Sequence, residues 1–389
     1  MKQLNIFFAA ILSLFAVSAS AQNEFTVKGH LKGVEDGTII MLMQQMGNVG
    51  MSVVNDTVRN ERFSLTWNGS GENEKYSLSV QGEGFPPMGL DIWTKAGAVI
   101  EVSGNDKYIY TWDVKSKIPE QADRAGFVNA SREDWIEIQR LSAQRNALYK
   151  NIENITQEEY AKIRVVADSL DKLSDPISNR INLKEVELLL KDDVITTTGL
   201  DVLRGLTLAV KYGNDSTLRP QVEAVYAKLS DEQKNSREGK IVFTNLFPPQ
   251  VVQVGEQMAD ANLFDLEGKQ SKLSDYKGKY ILLDFWSTGC GPCIMAMPEM
   301  KELAEEYKDR LTIISLSVDN EKAWRIGSAS HGFTWLNLSD KPENSGIAAK
   351  YGVDGIPHYV IITADGTVSD TWIGYGKGSL RNKMKEHIE

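Results

Sequence analysis

Cys290 and Cys293 are the only two cysteines in a chain of 389 residues. They stand three apart in the stretch Asp284-Phe285-Trp286-Ser287-Thr288-Gly289-Cys290-Gly291-Pro292-Cys293. The chemistry such a pair supports is dithiol–disulfide exchange. The residues before Cys290 read as a buried strand, and those from Cys293 onward read as a helix. A helix start presents unpaired N–H groups that stabilise negative charge. A thiol placed there ionises below its free value of about 8.5, and the thiolate is the attacking species in exchange. Cys290 is expected at the exposed helix tip as the attacker. Cys293 is expected one turn further in, resolving the mixed disulfide. Pro292 suits the first helical turn, where a missing N–H costs little. Pro298 falls inside the helix and is expected to kink it. Asp284 is the one acid in an otherwise apolar strand, six residues before Cys290. Burial there would raise its pKa.

Other uses of two cysteines fit less well. Structural zinc wants four sulfur or nitrogen ligands, and only His30, His331, His358 and His387 could complete a set, without paired metal spacing. No metal or organic cofactor is implied. Copper capture by the dithiol, with His358 assisting, stays open, as does a pair that serves only as a redox sensor in an exported binding or recruiting protein. A peroxidase reading has Thr288 two residues before Cys290 but lacks the proline-led motif.

The elements that must hold this pair follow from hydrophobic period. Tyr280 to Trp286 suits a buried central strand, Leu311 to Val318 a second one. His358 to Thr363 and Thr367 to Ile373 are two strands joined at Ala364-Asp365-Gly366. Ala261 to Leu273 reads as a hairpin turning at Glu267-Gly268-Lys269, Cys293 to Asp309 as the helix of the site, and Ser379 to Ile388 as a closing helix. Upstream, Phe63, Leu65 and Trp67 alternate with polar residues, as do Tyr76, Leu78 and Val80. That region is expected to be a small antiparallel sandwich or barrel. From about Ser131 the period turns helical, with Thr156 and Glu159 forming a capping box. Pro176 and Pro220 are read as early-turn or boundary positions. The domains drawn from these changes are a signal peptide at 1–21, a β-rich domain at 22–118, a helical domain at 119–247 and an α/β domain at 248–389.

On these motifs the last third of the chain, about Val254 to Glu389, resembles the thioredoxin superfamily, and within it the extracytoplasmic TlpA/ResA-like thiol–disulfide oxidoreductases. The resemblance rests on the Asp-Phe-Trp strand end, Cys-Gly-Pro-Cys, Pro298 five residues past Cys293, the Lys272-to-Lys279 lead into the first core strand, and Tyr351-Gly352-Val353-Asp354-Gly355-Ile356-Pro357. It implies a thioredoxin-like α/β domain with a mixed central sheet. It implies a cis peptide bond before Pro357 that faces the dithiol, and an Ile356 backbone that pairs with an extended substrate. It gives Asp284 the role of taking the Cys293 proton; the alternative is a structural acid paired with Lys279 or Lys322. Trp286 and His358 join Ile356 and Pro357 as substrate-contacting positions. Three residues depart from the pattern. Gly289 stands where tryptophan is usual, Ala296 where many members have glutamate, and His358 where threonine is common. An imidazole at 358 could tune the thiolate, since histidine titrates near neutral pH; the alternative is a partly exposed strand residue without chemistry. Gly291-Pro292 matches thioredoxin itself, so reduction is the expected direction. Partners would be disulfide-containing proteins or peptides and an upstream thiol electron donor.

The N-terminus reads as an export signal. Lys2 precedes an apolar run from Ile6 to Val17, and Ala19-Ser20-Ala21 offers small residues for cleavage before Gln22. The run is short of the roughly 20 apolar residues a spanning helix needs; the alternative to cleavage is an uncleaved anchor. A periplasmic location is therefore expected. The formal charge of −10, from 53 acidic and 43 basic residues, argues against a nucleic-acid partner. The residues ahead of the α/β domain hold no catalytic cluster. They are open to substrate selection, dimerisation or contact with a membrane partner, with Trp93 and Trp112 as aromatics that could be exposed for it; the alternative is that both pack in a core.

Overall fold

The computed structural model describes residues 23–46, 49–150, 152, 155–213, 215–340 and 346–388. The expected signal peptide at 1–21 lies outside them. The chain divides into two compact units, one of residues 1–44 and 51–229, the other of residues 45–50 and 230–389.

The described residues of the first unit begin with eight strands: β1 (Glu24–Leu31), β2 (Ile39–Met46), β3 (Val49–Thr57), β4 (Arg62–Asn68), β5 (Glu74–Gln81), β6 (Leu90–Thr94), β7 (Val99–Gly104) and β8 (Asp113–Lys115). They form two four-stranded sheets, β4-β1-β7-β8 and β3-β2-β5-β6. Alternation does the sorting. Phe25 and Val27 of β1 and Phe63 and Leu65 of β4 turn inward, to meet Ile40, Leu42, Tyr76, Leu78 and Ile92 of the other sheet in one core. This is a sandwich, but it is not wholly antiparallel. β1 runs parallel to β7, because β7 arrives from the opposite sheet rather than through a hairpin. Trp93 and Trp112 are buried, at 6% and 5% exposure, so they are packing residues and not a docking surface.

Among the described residues five α-helices complete this unit: α1 (Pro119–Ala130), α2 (Arg132–Leu148), α3 (Gln157–Lys191), α4 (Thr197–Tyr212) and α5 (Leu218–Ala227). The Thr156–Glu159 capping box is present at the start of α3. Pro220 sits in the first turn of α5 as expected. Pro176 does not mark a boundary; it lies inside α3. The helix tolerates the lost N–H because buried Ala167 anchors it before Pro176 and Ile177, Ile181, Val186 and Leu189 anchor it after. Buried amides join the helices to the strands: Gln121 accepts from Trp93 N and donates to Asp91 O, and Gln139 accepts from Tyr110 N. Hence the division falls after Leu229, not at 118 or 247.

The second unit adds α6 (Asp231–Asn235), α7 (Arg237–Leu246), the short hairpin β9 (Asn262–Phe264) and β10 (Gln270–Lys272), then β11 (Tyr280–Trp286), α8 (Gly291–Glu306), β12 (Leu311–Ser317), α9 (Glu321–His331), β13 (Leu336–Leu338), α10 (Gly346–Lys350), β14 (His358–Ile362), β15 (Val368–Ile373) and α11 (Ser379–Ile388). The sheet order is β13-β12-β11-β14-β15. β11 pairs parallel with β12 and antiparallel with β14, so the sheet is mixed, with β11 at its centre. Both faces of β11 are covered. Leu282 and Trp286 face α8 and α11 through Cys293, Met300, Leu380 and Met384. Ile281, Leu283 and Phe285 face the other way, onto Ile347 and Tyr351. A strand buried on both sides has to be continuously apolar, and Asp284 is its one exception.

Candidate active site

The chain leaves the sheet at Trp286, turns through Ser287–Cys290 and enters α8 at Gly291. Cys290 is the N-cap of α8, and its Sγ accepts from Cys293 N at 3.2 Å. Cys290 and Cys293 are joined as a disulfide with their Cα atoms 5.2 Å apart. Cys290 is half-buried between exposed Gly289 and exposed Gly291 and Pro292, whereas Cys293 is fully buried. One sulfur therefore borders solvent at the helix tip, and the other sits behind it against the sheet. Pro298 lies inside α8 with its ring exposed.

Asp319, buried just past the end of β12, holds the loop before Cys290. It accepts from Ser287 Oγ at 2.8 Å, and from Thr288 N and Oγ1 at 2.7 Å each. Thr288 Oγ1 also lies 2.8 Å from Ala323 O. Gly327 of α9 leaves room for this. A Cβ there would come within 2.4 Å of Thr288 Oγ1.

Asp284 is fully buried, and Ser315 Oγ donates to its Oδ2 at 2.7 Å. Burial pushes its carboxyl up to about 7, against a smaller lowering by the Ser315 bond. The lysine alternatives do not hold: Lys279 donates instead to Lys308 O, and Lys322 is exposed. The register places Asp284 opposite Tyr359, and Tyr359 opposite Trp372.

Two of the expected substrate contacts are corrected. Trp286 is sealed in the core at 0% exposure; its Nε1 donates to Asn337 Oδ1, which also accepts from Trp324. It supports the site from beneath. His358 pairs with Phe285 across β11–β14 and meets its ring edge to face at 5.9 Å. Neighbours directly across a sheet share a face, and Phe285 lies on the face opposite the cysteines. His358 is buried, its Nε2 pairs with Thr371 Oγ1 at 2.8 Å, and burial pushes its pKa down against a smaller raising by Asp354. Its ring lies on the face away from the dithiol, and it is buried rather than partly exposed. Ile356 packs half-buried in the cluster that contains Cys290, and the Ile356–Pro357 peptide is cis.

Pro298 apart, several residues beside α8 carry no sequence signal of their own. Met295, Pro298, Glu299, Tyr375, Lys377 and Arg381 line an open pocket of about 530 Å³ beside α8. Glu299 shapes it by accepting from Tyr375 OH, Gly378 N and Arg381 N, at 2.8–2.9 Å, which ties the start of α11 to α8. Tyr375 also packs on the cluster that holds both cysteines. Asp319 stands just past the end of a buried strand that pairs with the one holding Asp284, and an acid at that strand end was the available clue. Among the described residues no group of three or more His, Cys, Asp or Glu side chains could hold a metal ion. No helix among them is long and apolar enough to cross a membrane.

A mixed sheet whose central strand feeds a Cys-x-x-Cys at a helix tip, with a cis proline opening the antiparallel neighbour, defines a thioredoxin-fold redox protein. Residues 254–371 match the AhpC/TSA family. Over 127 residues the chain is 36% identical to the thioredoxin-like protein YneN of Bacillus subtilis, covering 32% of this chain and 73% of that protein. Over 140 residues it is 36% identical to the thiol-disulfide oxidoreductase ResA of Bacillus anthracis, covering 36% and 76%. The thioredoxin domain of a thiol-disulfide oxidoreductase from Bacteroides vulgatus aligns at 25% identity over 36% of this chain and 99% of its own, with a TM-score of 0.33. The chain belongs to the thioredoxin-like thiol–disulfide oxidoreductases, and its second unit is an oxidoreductase domain.

Proposed function

We propose that the protein reduces disulfides in exported proteins or peptides. The observation that carries this reading is Cys290 Sγ, half-exposed and accepting a backbone N–H at the α8 tip, with Cys293 sealed one turn behind. In the reduced form the same N–H favours the Cys290 thiolate. That thiolate attacks a substrate disulfide, forms a mixed disulfide and expels one substrate thiolate, which takes a proton from water. Cys293 then gives its proton to Asp284, and its sulfur attacks Cys290. The Cys290–Cys293 bond forms, the second substrate thiolate leaves, and two electrons have passed to the substrate. Ile356 and Pro357 present the backbone along which an extended segment lies. A thiol protein upstream restores the dithiol. No cofactor is needed for any of these steps.

Gly291-Pro292, as in thioredoxin, supports reduction as the direction. Equilibration with glutathione tests it. A potential near thioredoxin's, about −270 mV, is expected, and a value near −120 mV, typical of a strong periplasmic oxidant, overturns it. Export with cleavage before Gln22 is part of the same reading. N-terminal sequencing of periplasmic protein should begin at Gln22; retention of the leader in the cytoplasm overturns it. The first unit is assigned substrate selection or partner contact, including a membrane partner. Its deletion should impair protein substrates more than small disulfides.

A further inference from the structure

Only one oxygen of the buried Asp284 carboxyl is served. Ser315 Oγ donates to Oδ2, while Oδ1 is sealed from solvent without a hydrogen-bond partner among the described residues. A carboxylate that ionises in apolar surroundings needs more than one donor. The sheet register places a residue that bears a second one opposite Asp284. Ser315, Asp284, Tyr359 and Trp372 occupy one row across β12, β11, β14 and β15. The row lies on the face that carries Cys293, with Tyr359 and Trp372 in the same cluster as that cysteine. Tyr359 OH and Trp372 Nε1 are also buried and unpartnered among the described residues. Buried polar atoms are ordinarily satisfied, so three unsatisfied ones on residues paired across one row set this part of the core apart from plain packing.

The Tyr359 ring stacks on Trp372 at 5.3 Å, which fixes the ring and leaves the hydroxyl hydrogen to turn. The Asp284 charge reaches the phenol: after burial, it is the largest influence keeping that phenol protonated. A phenol held protonated is always able to donate. The other groups facing this pair are Cys293 and Glu299 from α8, Tyr375 after β15, Trp335 through Ser315, and Lys383 of α11 over the Trp372 ring at 5.5 Å.

We infer that Tyr359 is a positioning residue for proton transfer at the dithiol. Its O–H donates to Asp284 Oδ1 when the carboxyl is ionised, directly or through one buried water, and holds Asp284 ready to take the Cys293 proton. Once Asp284 has gained that proton, the same hydroxyl turns and accepts. This rests on the relay role proposed above for Asp284 and extends it to a side chain on the neighbouring strand.

The test uses the full chain with Tyr359→Phe, which keeps the ring and its stacking. The rate of mixed-disulfide resolution is followed in single turnover from about pH 5 to about pH 9, alongside the rate of Cys290 attack. Losing a hydrogen bond to a charged group should raise the midpoint of the resolution profile by about one pH unit, and slow resolution about tenfold below that midpoint. Attack should be unchanged. In an Asp284→Asn background the same substitution should add nothing. Fluorotyrosine at 359, with its more acidic hydroxyl, should move the midpoint down and serves if Tyr359→Phe fails to fold. An unmoved midpoint, or equal slowing in the Asp284→Asn background, overturns the inference and leaves the relay standing. If Asp284→Asn itself leaves resolution unchanged, the relay falls and this inference falls with it.

Discussion

Ser315 and Asp284, opposite one another in the parallel β11–β12 pair, make the hydrogen bond that serves the buried carboxyl of the site, at 2.7 Å. One neutral donor does not offset burial, and the folded carboxyl stays near 7, against an unfolded value of about 3.9. Between those values the folded chain holds a proton that the unfolded chain has lost. The stabilisation linked to that proton is fully present below about pH 4 and is lost as pH rises through about 7. Asp284→Asn cannot ionise and escapes this loss. Relative to wild type, it should therefore gain stability between pH 5 and pH 8, on the order of 2 to 4 kcal/mol, in paired urea titrations of the oxidised protein. A stability difference that does not change with pH would place the folded carboxyl in the ordinary range.

The same substitution should separate the two chemical steps. Asp284→Asn should slow release of the mixed disulfide more than its formation, because Asp284 shares a face with buried Cys293 while Cys290 meets solvent. Stopped-flow rates of both steps check this, and equal slowing would argue for a general loss of packing.

Exposure also divides the cysteines. Cys290→Ser should abolish insulin reduction. Cys293→Ala should form a covalent adduct with substrate and retain it, seen as a mass increment reversed by dithiothreitol. An adduct that accumulates instead on Cys293 in the Cys290→Ser variant would reverse the roles.

The loop before Cys290 depends on space as well as hydrogen bonds. A Cβ at Gly327 would lie within 2.4 Å of Thr288 Oγ1 and 3.0 Å of Thr288 Cβ. Gly327→Ala should thus displace Thr288 from Asp319 and cost about 1 to 3 kcal/mol of stability. It should also alter the rate at which reduced Cys290 is alkylated by iodoacetamide. Both readouts at wild-type values would show that α9 yields and the loop does not.

Most of the second unit was legible because buried strands and helix starts carry strong local patterns. Tyr280–Trp286 reads as apolar on both faces, and Cys-Gly-Pro-Cys marks a helix tip. What sequence could not supply was direction across the sheet. His358 is next to Pro357 in the chain, yet strand alternation sends its ring to the face away from the dithiol. Tyr359, one residue on, faces Cys293 and had no motif to announce it. Trp286 adjoins the site loop but points inward, to Asn337. In the first unit the period of two located strands but not their partners, so the parallel β1–β7 pair was invisible. Pro176 misled because its helix is held by packing on both sides, which overrides a local breaker.

Substrate recognition should draw on Met295, which is 62% exposed on α8, two residues past Cys293. It shares a pocket with Pro298 and Tyr375, and Tyr375 packs on the cluster that includes Cys290, so an extended segment bound at Cys290 has apolar surface beside it. Covering one such side chain contributes about 1.5 kcal/mol, or about tenfold in affinity. Met295→Gln keeps the length of the side chain and removes its apolar character, while an exposed site keeps the stability change within about 0.5 kcal/mol. KM for insulin should rise five- to tenfold, on the order set by that burial, with the glutathione equilibrium unchanged because no group near the sulfurs changes charge. An unchanged KM would move the recognition surface away from this pocket; a shifted equilibrium would mean that Met295 acts on the dithiol itself.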